Sequence, residues 1–310
     1  MLSSGSPRPA LPRPVIASRR AYARTFQDPA FWTPYVHEVM RRHGLPTPAV
    51  SVGAAGTFPT FLVGSYVVKL FPRRFGGAAC FAIERSLHSG PLDRPDLPVP
   101  RYVAHGQLFE SGWRWPYLVT TRLDGTPWSE ASLPAEAQLA VAAQLGEVLR
   151  RVHALDCPDG PVWRRDLLGE LRASCAARHH RRRMLPPGLI DQIDAYLAPP
   201  SPVRRLVHAD LHADHILVDG ARLVGLIDWG DALCGDPYYE LPSLYFGTFG
   251  ASRPLLRAFL DAYGWRVGPD FAQRAMSMTL VHEFNPARPF LPPLDRVPSL
   301  DDLAARLWQL

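Results

Sequence analysis

Two short apolar runs separated by Asp219-Gly220 limit what this chain can fold into more than any other feature. Ile216-Leu217-Val218 precedes the pair, and Leu223-Val224-Gly225-Leu226-Ile227 follows it. Asp-Gly between apolar runs predicts a tight β-hairpin. Paired positions across a hairpin keep a constant sum, so a loop at Asp219-Gly220 or Gly220-Ala221 returns Asp228 opposite residues 211–213. Asp228 therefore comes back beside Asp210. Two carboxylates at one hairpin mouth suit a divalent cation and a phosphoryl group, because the cation offsets their repulsion.

Three short motifs stand in order around this hairpin: His208-Ala209-Asp210, Ile227-Asp228-Trp229 and Gly235-Asp236-Pro237. Together they resemble the aminoglycoside phosphotransferase and choline kinase superfamily, small-molecule relatives of the protein kinases. The resemblance covers most of residues 50–250 and is strongest over 205–242. It implies an α+β, two-lobed protein-kinase-like fold. A small antiparallel-sheet lobe would occupy residues 17–122 and bind nucleotide. A larger, mainly helical lobe would occupy 123–310, with residues 1–16 disordered. The resemblance makes Asp210 the catalytic aspartate beside the acceptor hydroxyl, Asp228 a metal ligand, and Asp236 the brace of the catalytic loop.

One position departs from the pattern. The second metal ligand of the superfamily, an asparagine, falls at His215. Magnesium prefers oxygen donors, whereas imidazole suits softer metals. Three readings follow: His215 binds the metal as a neutral imidazole, one metal site is weaker, or turnover has been lost. Asp214 is a neighbour, but a one-residue slip in an extended segment points it to the other face.

Of 34 lysines and arginines, Lys69 is the only lysine. A lone ammonium in an arginine background marks a place where a guanidinium fork does not fit. Lys69 lies in the strand-like run Ser65–Phe71, matching the family lysine that holds the nucleotide phosphates. Phe81, Glu84, Leu87 and His88 share one side of a helix expected over 77–89. Glu84 thus sits on an apolar stripe and needs a cation; the resemblance makes Lys69 its partner. Gly53-Ala54-Ala55-Gly56-Thr57 resembles the nucleotide-covering turn, with Gly56 and Thr57 near the phosphates. Pro116–Gly125 resembles the hinge, where Thr121 and Leu123 would meet the base.

The 310 residues are 47% hydrophobic with a formal charge of +5, an ordinary globular balance that does not by itself imply nucleic acid. No apolar run reaches the roughly 18 residues of a membrane span, and the N-terminus has no signal-peptide core. Four cysteines, at 80, 157, 175 and 234, lack metal or redox spacing, which fits a reduced, cytoplasmic protein. Helices are expected over 17–45, 134–155, 163–198 with a break near Pro186-Pro187-Gly188, 253–264, 269–284 and 299–310. The basic run Arg178–Arg183 reads as a solvated helix face, with an anionic or nucleic-acid partner as the less favoured alternative.

The implied activity is transfer of a γ-phosphoryl group from ATP, or GTP, with Mg2+, to a hydroxylated small molecule. Ala209, in place of the arginine of regulated protein kinases, and the absence of a long activation segment argue against a protein substrate. The residues around Asp228-Trp229-Gly230-Asp231 resemble antibiotic kinases, including the hygromycin B phosphotransferases. An antibiotic acceptor leads; an amino alcohol or sugar, and a catalytically inactive nucleotide-binding module, stay open. Asp231, Glu240 and Glu283 are candidate acceptor-binding acids. Monomer and dimer are equally open.

Overall fold

The structure is a computed structural model and describes residues 11–16, 18–53 and 56–310. Contacts divide the chain into two units. One runs through Phe81 and resumes over Tyr102–Arg122; the other comprises Ala82–Arg101 and Leu123–Leu310.

The smaller unit begins with α1 (Arg19–Thr25), capped by the Ser18 hydroxyl, and α2 (Pro29–Arg42), capped by the Asp28 carboxylate. The helix expected over 17–45 is therefore two helices, and residue 17 lies outside the described residues. Pro29 lacks an N–H and disfavours helical backbone at Asp28, so the chain must restart there. Trp32, Tyr35, Val36, Val39 and Met40 recur at helical spacing on α2 and are buried. They share one apolar core with Phe61, Val63, Val68, Leu70 and Val119. These come from an antiparallel sheet of order β1-β2-β3-β5-β4: β1 (Val50–Val52), β2 (Thr60–Val63), β3 (Tyr66–Leu70), β4 (Tyr102–Gln107) and β5 (Pro116–Thr121). Leu11 and Ile16 pack on the same core, and the Tyr35 hydroxyl donates to the Pro12 carbonyl at 2.9 Å. Residues 11–16 are thus held, contrary to the expectation of a disordered stretch through residue 16; residues 1–10 lie outside the described residues.

α3 (Gly77–His88) spans the division. The expected 17–122 lobe is not continuous, because Leu87, Leu92, Leu97 and Val99 are buried in the core of the larger unit. That unit is built around α4 (Ala135–Val152), whose stripe of Ala142, Leu145, Leu149 and Val152 is fully buried. The stretch expected as long helices over 163–198 is instead α5 (Leu167–Ala173), α6 (Cys175–Arg182) and short turns at Pro161–Arg164, Pro187–Ile190 and Ile193–Tyr196. α6 ends where Arg183 adopts a left-handed φ of 51°. Further on lie α7 (Arg253–Tyr263), α8 (Phe271–Val281) and α9 (Leu300–Trp308). α4 and α7 meet at Gly146, where a Cβ would stand only 2.3 Å from the Phe259 carbonyl oxygen.

Two small antiparallel sheets position the loops of interest. β6 (Thr126–Pro127) pairs with β8 (Ile216–Asp219), which pairs with β9 (Arg222–Leu226). β7 (Arg205–Val207) pairs with β10 (Leu233–Gly235). Cys157 and Cys234, 77 residues apart, form a disulfide, which overturns the reading of four reduced cysteines. The fold brings the turn after α4 and strand β10 to a Cα–Cα distance of 6.0 Å, an ordinary disulfide span invisible in linear spacing. No helix among the described residues is long and apolar enough to cross a membrane.

Candidate active site

The hairpin forms around Gly220-Ala221, with Asp219 opposite Arg222 and Gly220 at φ 56°. A bulge between Leu217 and Val218 advances the register by one, so Ile216 faces Leu226. The Ile227 N–H then donates to the His215 carbonyl, and Asp228 arrives beside His215 rather than opposite residues 211–213.

Asp210 follows β7 in a loop of unusual backbone. Ala209 (φ 71°) and Asp228 (φ 62°) both occupy the left-handed region, which costs a non-glycine residue roughly 1–3 kcal/mol unless its surroundings hold it. Glu240 supplies much of that hold. Its side chain is fully buried, and one carboxylate oxygen accepts from the N–H groups of His208 (3.0 Å) and Ala209 (3.3 Å). Burial pushes its carboxyl up to about 8. Glu240 is therefore a brace of the loop and not an acid that meets an acceptor. The bracing role expected of Asp236 is likewise corrected: one of its oxygens accepts from the Tyr238 N–H, and the other lies 3.6 Å from Arg274.

Three histidines surround Asp210. His208 is buried; its Nε2–H donates to the Ile227 carbonyl, its Nδ1 accepts from the Asp210 N–H, and its ring lies 4.4 Å from Trp229. Burial lowers its pKa to about 4, so it is neutral. His212 is the residue that motif reading missed. Its Nε2 lies 3.6 Å from the Asp210 carboxylate, and its Nδ1 3.4 Å from that of Asp214. The hydrogen bond with Asp210 raises the His212 pKa, although burial opposes it. Burial also pushes the Asp210 carboxyl up, but the His212 hydrogen bond and the surrounding imidazoles outweigh this and hold it below its ordinary range. Recurrence of histidine at 208, 212 and 215 was the available signal.

His215 settles its own tautomer. Its Nδ1 lies 2.7 Å from the Asp210 backbone carbonyl, which can only accept, so Nδ1 carries the proton. Nε2, the nitrogen a neutral ring would offer to a metal, lies 3.5 Å from an Asp228 carboxylate oxygen. A ligating histidine whose other nitrogen donates to a carbonyl is the usual arrangement in metal sites. Donor atoms of Asp210, His212 and His215 also lie within 4.8 Å of one another. These groups fit a divalent cation, with nitrogen donors that favour manganese-like ions more than a wholly oxygen-lined site would.

The remaining candidates lie on other elements. Lys69 is buried on β3, its ammonium 5.4 Å from the Phe58 ring centroid and 5.6 Å from that of Phe71. Glu84 is buried on α3. The Thr57 carbonyl accepts from the Tyr22 hydroxyl; Gly56 is exposed, and Ala54 and Ala55 of the expected turn lie outside the described residues. Thr121 ends β5 opposite Tyr66, and Leu123 is half-buried. Asp231 and Glu283 are exposed. The basic run is a solvated face only over 180–183: Arg178 and His179 are buried and donate to main-chain carbonyls.

Known proteins are similar to this chain in sequence and fold. The profile described as phosphotransferase enzyme family (APH) matches residues 51–276. Hygromycin-B 4-O-kinase of Escherichia coli is 25% identical over 173 residues, 48% of each chain. Homoserine kinase of Pseudomonas aeruginosa (strain LESB58) is 33% identical over 189 residues, 51% of this chain and 58% of the kinase. The chain thus spans about half the length of the curated relatives it matches. Among solved structures, the GDP complex of aminoglycoside 2'-phosphotransferase-IIIa superposes with a TM-score of 0.62 at 21% identity, covering 90% of this chain and 93% of that one. Macrolide 2'-phosphotransferase MphH of Brachybacterium faecium gives 0.60 at 22% identity, covering 90% and 98%. At such identities the likeness establishes the two-lobed kinase-like fold. The profile takes in both the hairpin and the loop that carries Asp210, and the chain belongs to the phosphotransferase enzyme family.

Proposed function

We propose that the protein moves the γ-phosphoryl group of ATP, with GTP as the other candidate donor, to a hydroxyl of a small molecule, and that the acceptor is an antibiotic of aminoglycoside or related type. The observation that carries this reading is the cluster at the hairpin mouth: the Asp210 carboxylate beside His212 and His215, with His215 Nε2 3.5 Å from Asp228.

Asp210 would accept a hydrogen bond from the acceptor hydroxyl and receive its proton as the new O–P bond forms. The bond from Pγ to the diphosphate breaks in the same step. A carboxylate held below its ordinary range is a weak base, so its main contribution is orientation, with proton transfer late. His215 and Asp228 would hold a divalent cation, which supplies neutralisation of phosphate charge. Lys69 and Glu84 take the nucleotide-side roles that the family resemblance gives them, with Gly56, Thr57, Thr121 and Leu123 around the nucleotide. Asp231 and Glu283 remain the acceptor-side acids. Catalysis would rest on positioning and charge neutralisation. ATP supply places the reaction in the cytoplasm.

The test is phosphate transfer from ATP and from GTP, with Mg2+ or Mn2+, to a panel of antibiotics, amino alcohols, sugars and homoserine, with products identified by mass. Asp210→Ala should abolish turnover and leave nucleotide binding largely intact; full activity in that variant overturns the assignment. The similarity to homoserine kinase favours a metabolite acceptor as the second reading. Phosphorylation of homoserine or an amino alcohol, with every antibiotic untouched, would select it.

A further inference from the structure

The last carbonyls of α8 are buried and face α6, where water cannot satisfy them. Helix ends in such a place need donors from elsewhere. α6 supplies them to four consecutive residues. The Cys175 thiol and His179 Nε2 approach the Leu280 carbonyl at 3.3 and 2.9 Å. Arg178 donates to the Val281 carbonyl at 2.7 Å and the His282 carbonyl at 3.5 Å, and Arg182 to the Glu283 carbonyl at 3.0 Å. Arg178 also reaches back to the Leu171 carbonyl at the end of α5. A guanidinium at the negative end of a helix dipole is favoured, but burying one is expensive where carbonyls are its acceptors.

The turn held in this way packs on Tyr239 and Ser243, which flank the Glu240 brace of the Asp210 loop. His282 is fully buried, stacks on Tyr239 at 4.6 Å and 15°, and places Nε2 3.0 Å from the Ser243 hydroxyl. Its Nδ1 accepts from the Phe284 N–H, so Nε2 carries the proton and donates it toward the Ser243 hydroxyl. The next residue, Glu283, is exposed and donates its N–H to the Tyr239 hydroxyl. Tyr239 precedes Glu240, whose carboxylate accepts from the His208 and Ala209 N–H groups, so the turn is joined through these two neighbours to the loop that carries Asp210.

We propose that Arg178 and His282 are positioning residues that fix the His282–Phe284 turn as one wall of the acceptor site and tie it to the catalytic loop. This rests on the reading of the site as a phosphotransferase. Arg178→Met should raise the acceptor KM about tenfold while the nucleotide KM stays unchanged, with Arg178→Lys recovering part of the loss. Hydrogen exchange should accelerate in the variant at 280–286 and 208–211 and not elsewhere in the larger unit. If Arg178→Met fails to fold, Arg178→Lys and His282→Asn carry the same measurements. Folded variants with wild-type acceptor KM and wild-type exchange overturn the proposal, as does acceleration spread evenly through the unit. If no acceptor is phosphorylated, the phosphotransferase reading fails by itself, and exchange alone decides whether the wall and the loop are coupled.

Discussion

The two units secure their key charged groups by different means. In the smaller unit Lys69 is a strand residue, paired with Thr60 on one side and Leu118 on the other, with aromatic rings near its ammonium. A strand gives each side chain one direction, so register alone aims it. In the larger unit Asp210 lies in a loop with a left-handed residue before it, held by hydrogen bonds from its neighbours to Glu240. A charge aimed by a strand should survive loss of any single side-chain partner. A charge aimed by a loop depends on a few bonds, and removing one should move it.

The largest effect that sharpens this contrast is expected at Lys69. Lys69→Met keeps an unbranched chain among the rings, so the variant should still fold. Without the ammonium, kcat/KM for the nucleotide should fall roughly a hundredfold or more. Steady-state kinetics beside calorimetry would separate the two. A large loss of stability would break the contrast, since it would show that the strand depends on its charge.

Glu240→Ala comes next. It strands two buried N–H groups, which should cost about 2–4 kcal/mol in chemical denaturation and reduce kcat some thirtyfold as Asp210 loses its aim. Glu240→Gln retains the accepting oxygen and should lose less of both. The pair also tests pH dependence. The Glu240 carboxyl is raised by burial to about 8 in the fold, so the folded chain binds more protons than the unfolded one between its ordinary range and that value. Its contribution is fully present at low pH and is lost as pH rises through about 8, and the slope should disappear in Glu240→Gln. An unchanged slope would mean that Glu240 is ionised throughout.

The smallest effect on activity is expected at the disulfide. Replacing Cys157 and Cys234 by serine should lower stability by roughly 2–4 kcal/mol, because the link closes a long loop. Turnover should change less than about twofold, since the loop around Asp210 is held through Glu240 and not through this bond. A tenfold loss of kcat on reduction, at a temperature where the protein stays folded, would show that the catalytic loop is held from β10 as well.

Most of the catalytic hairpin was readable in advance because its determinants are local. Gly220 permits the left-handed turn, apolar runs define the two strands, and Asp228 must then return toward Asp210. α4, α7, α8 and α9 were likewise readable from their apolar stripes. The bulge at Leu217 and Val218 was not, and it moved Asp228 opposite a different neighbour. The break at Pro29 is a local signal too, since proline marks such a restart.

The misread residues share one property: each is bonded to a remote segment. Glu240 looks like an acceptor acid until His208 and Ala209 are seen to bind it, and Arg178 looks like a surface charge until the end of α8 is placed above it. Cys157 and Cys234 carry no sign of each other along the chain. Local order and the element types are written in neighbouring residues, because turns and periodicity act over a few positions. Which polar groups meet water, which brace a loop and which nitrogen of His215 faces Asp228 are set by segments that touch only after folding, since burial and hydrogen-bond partners belong to the packed molecule.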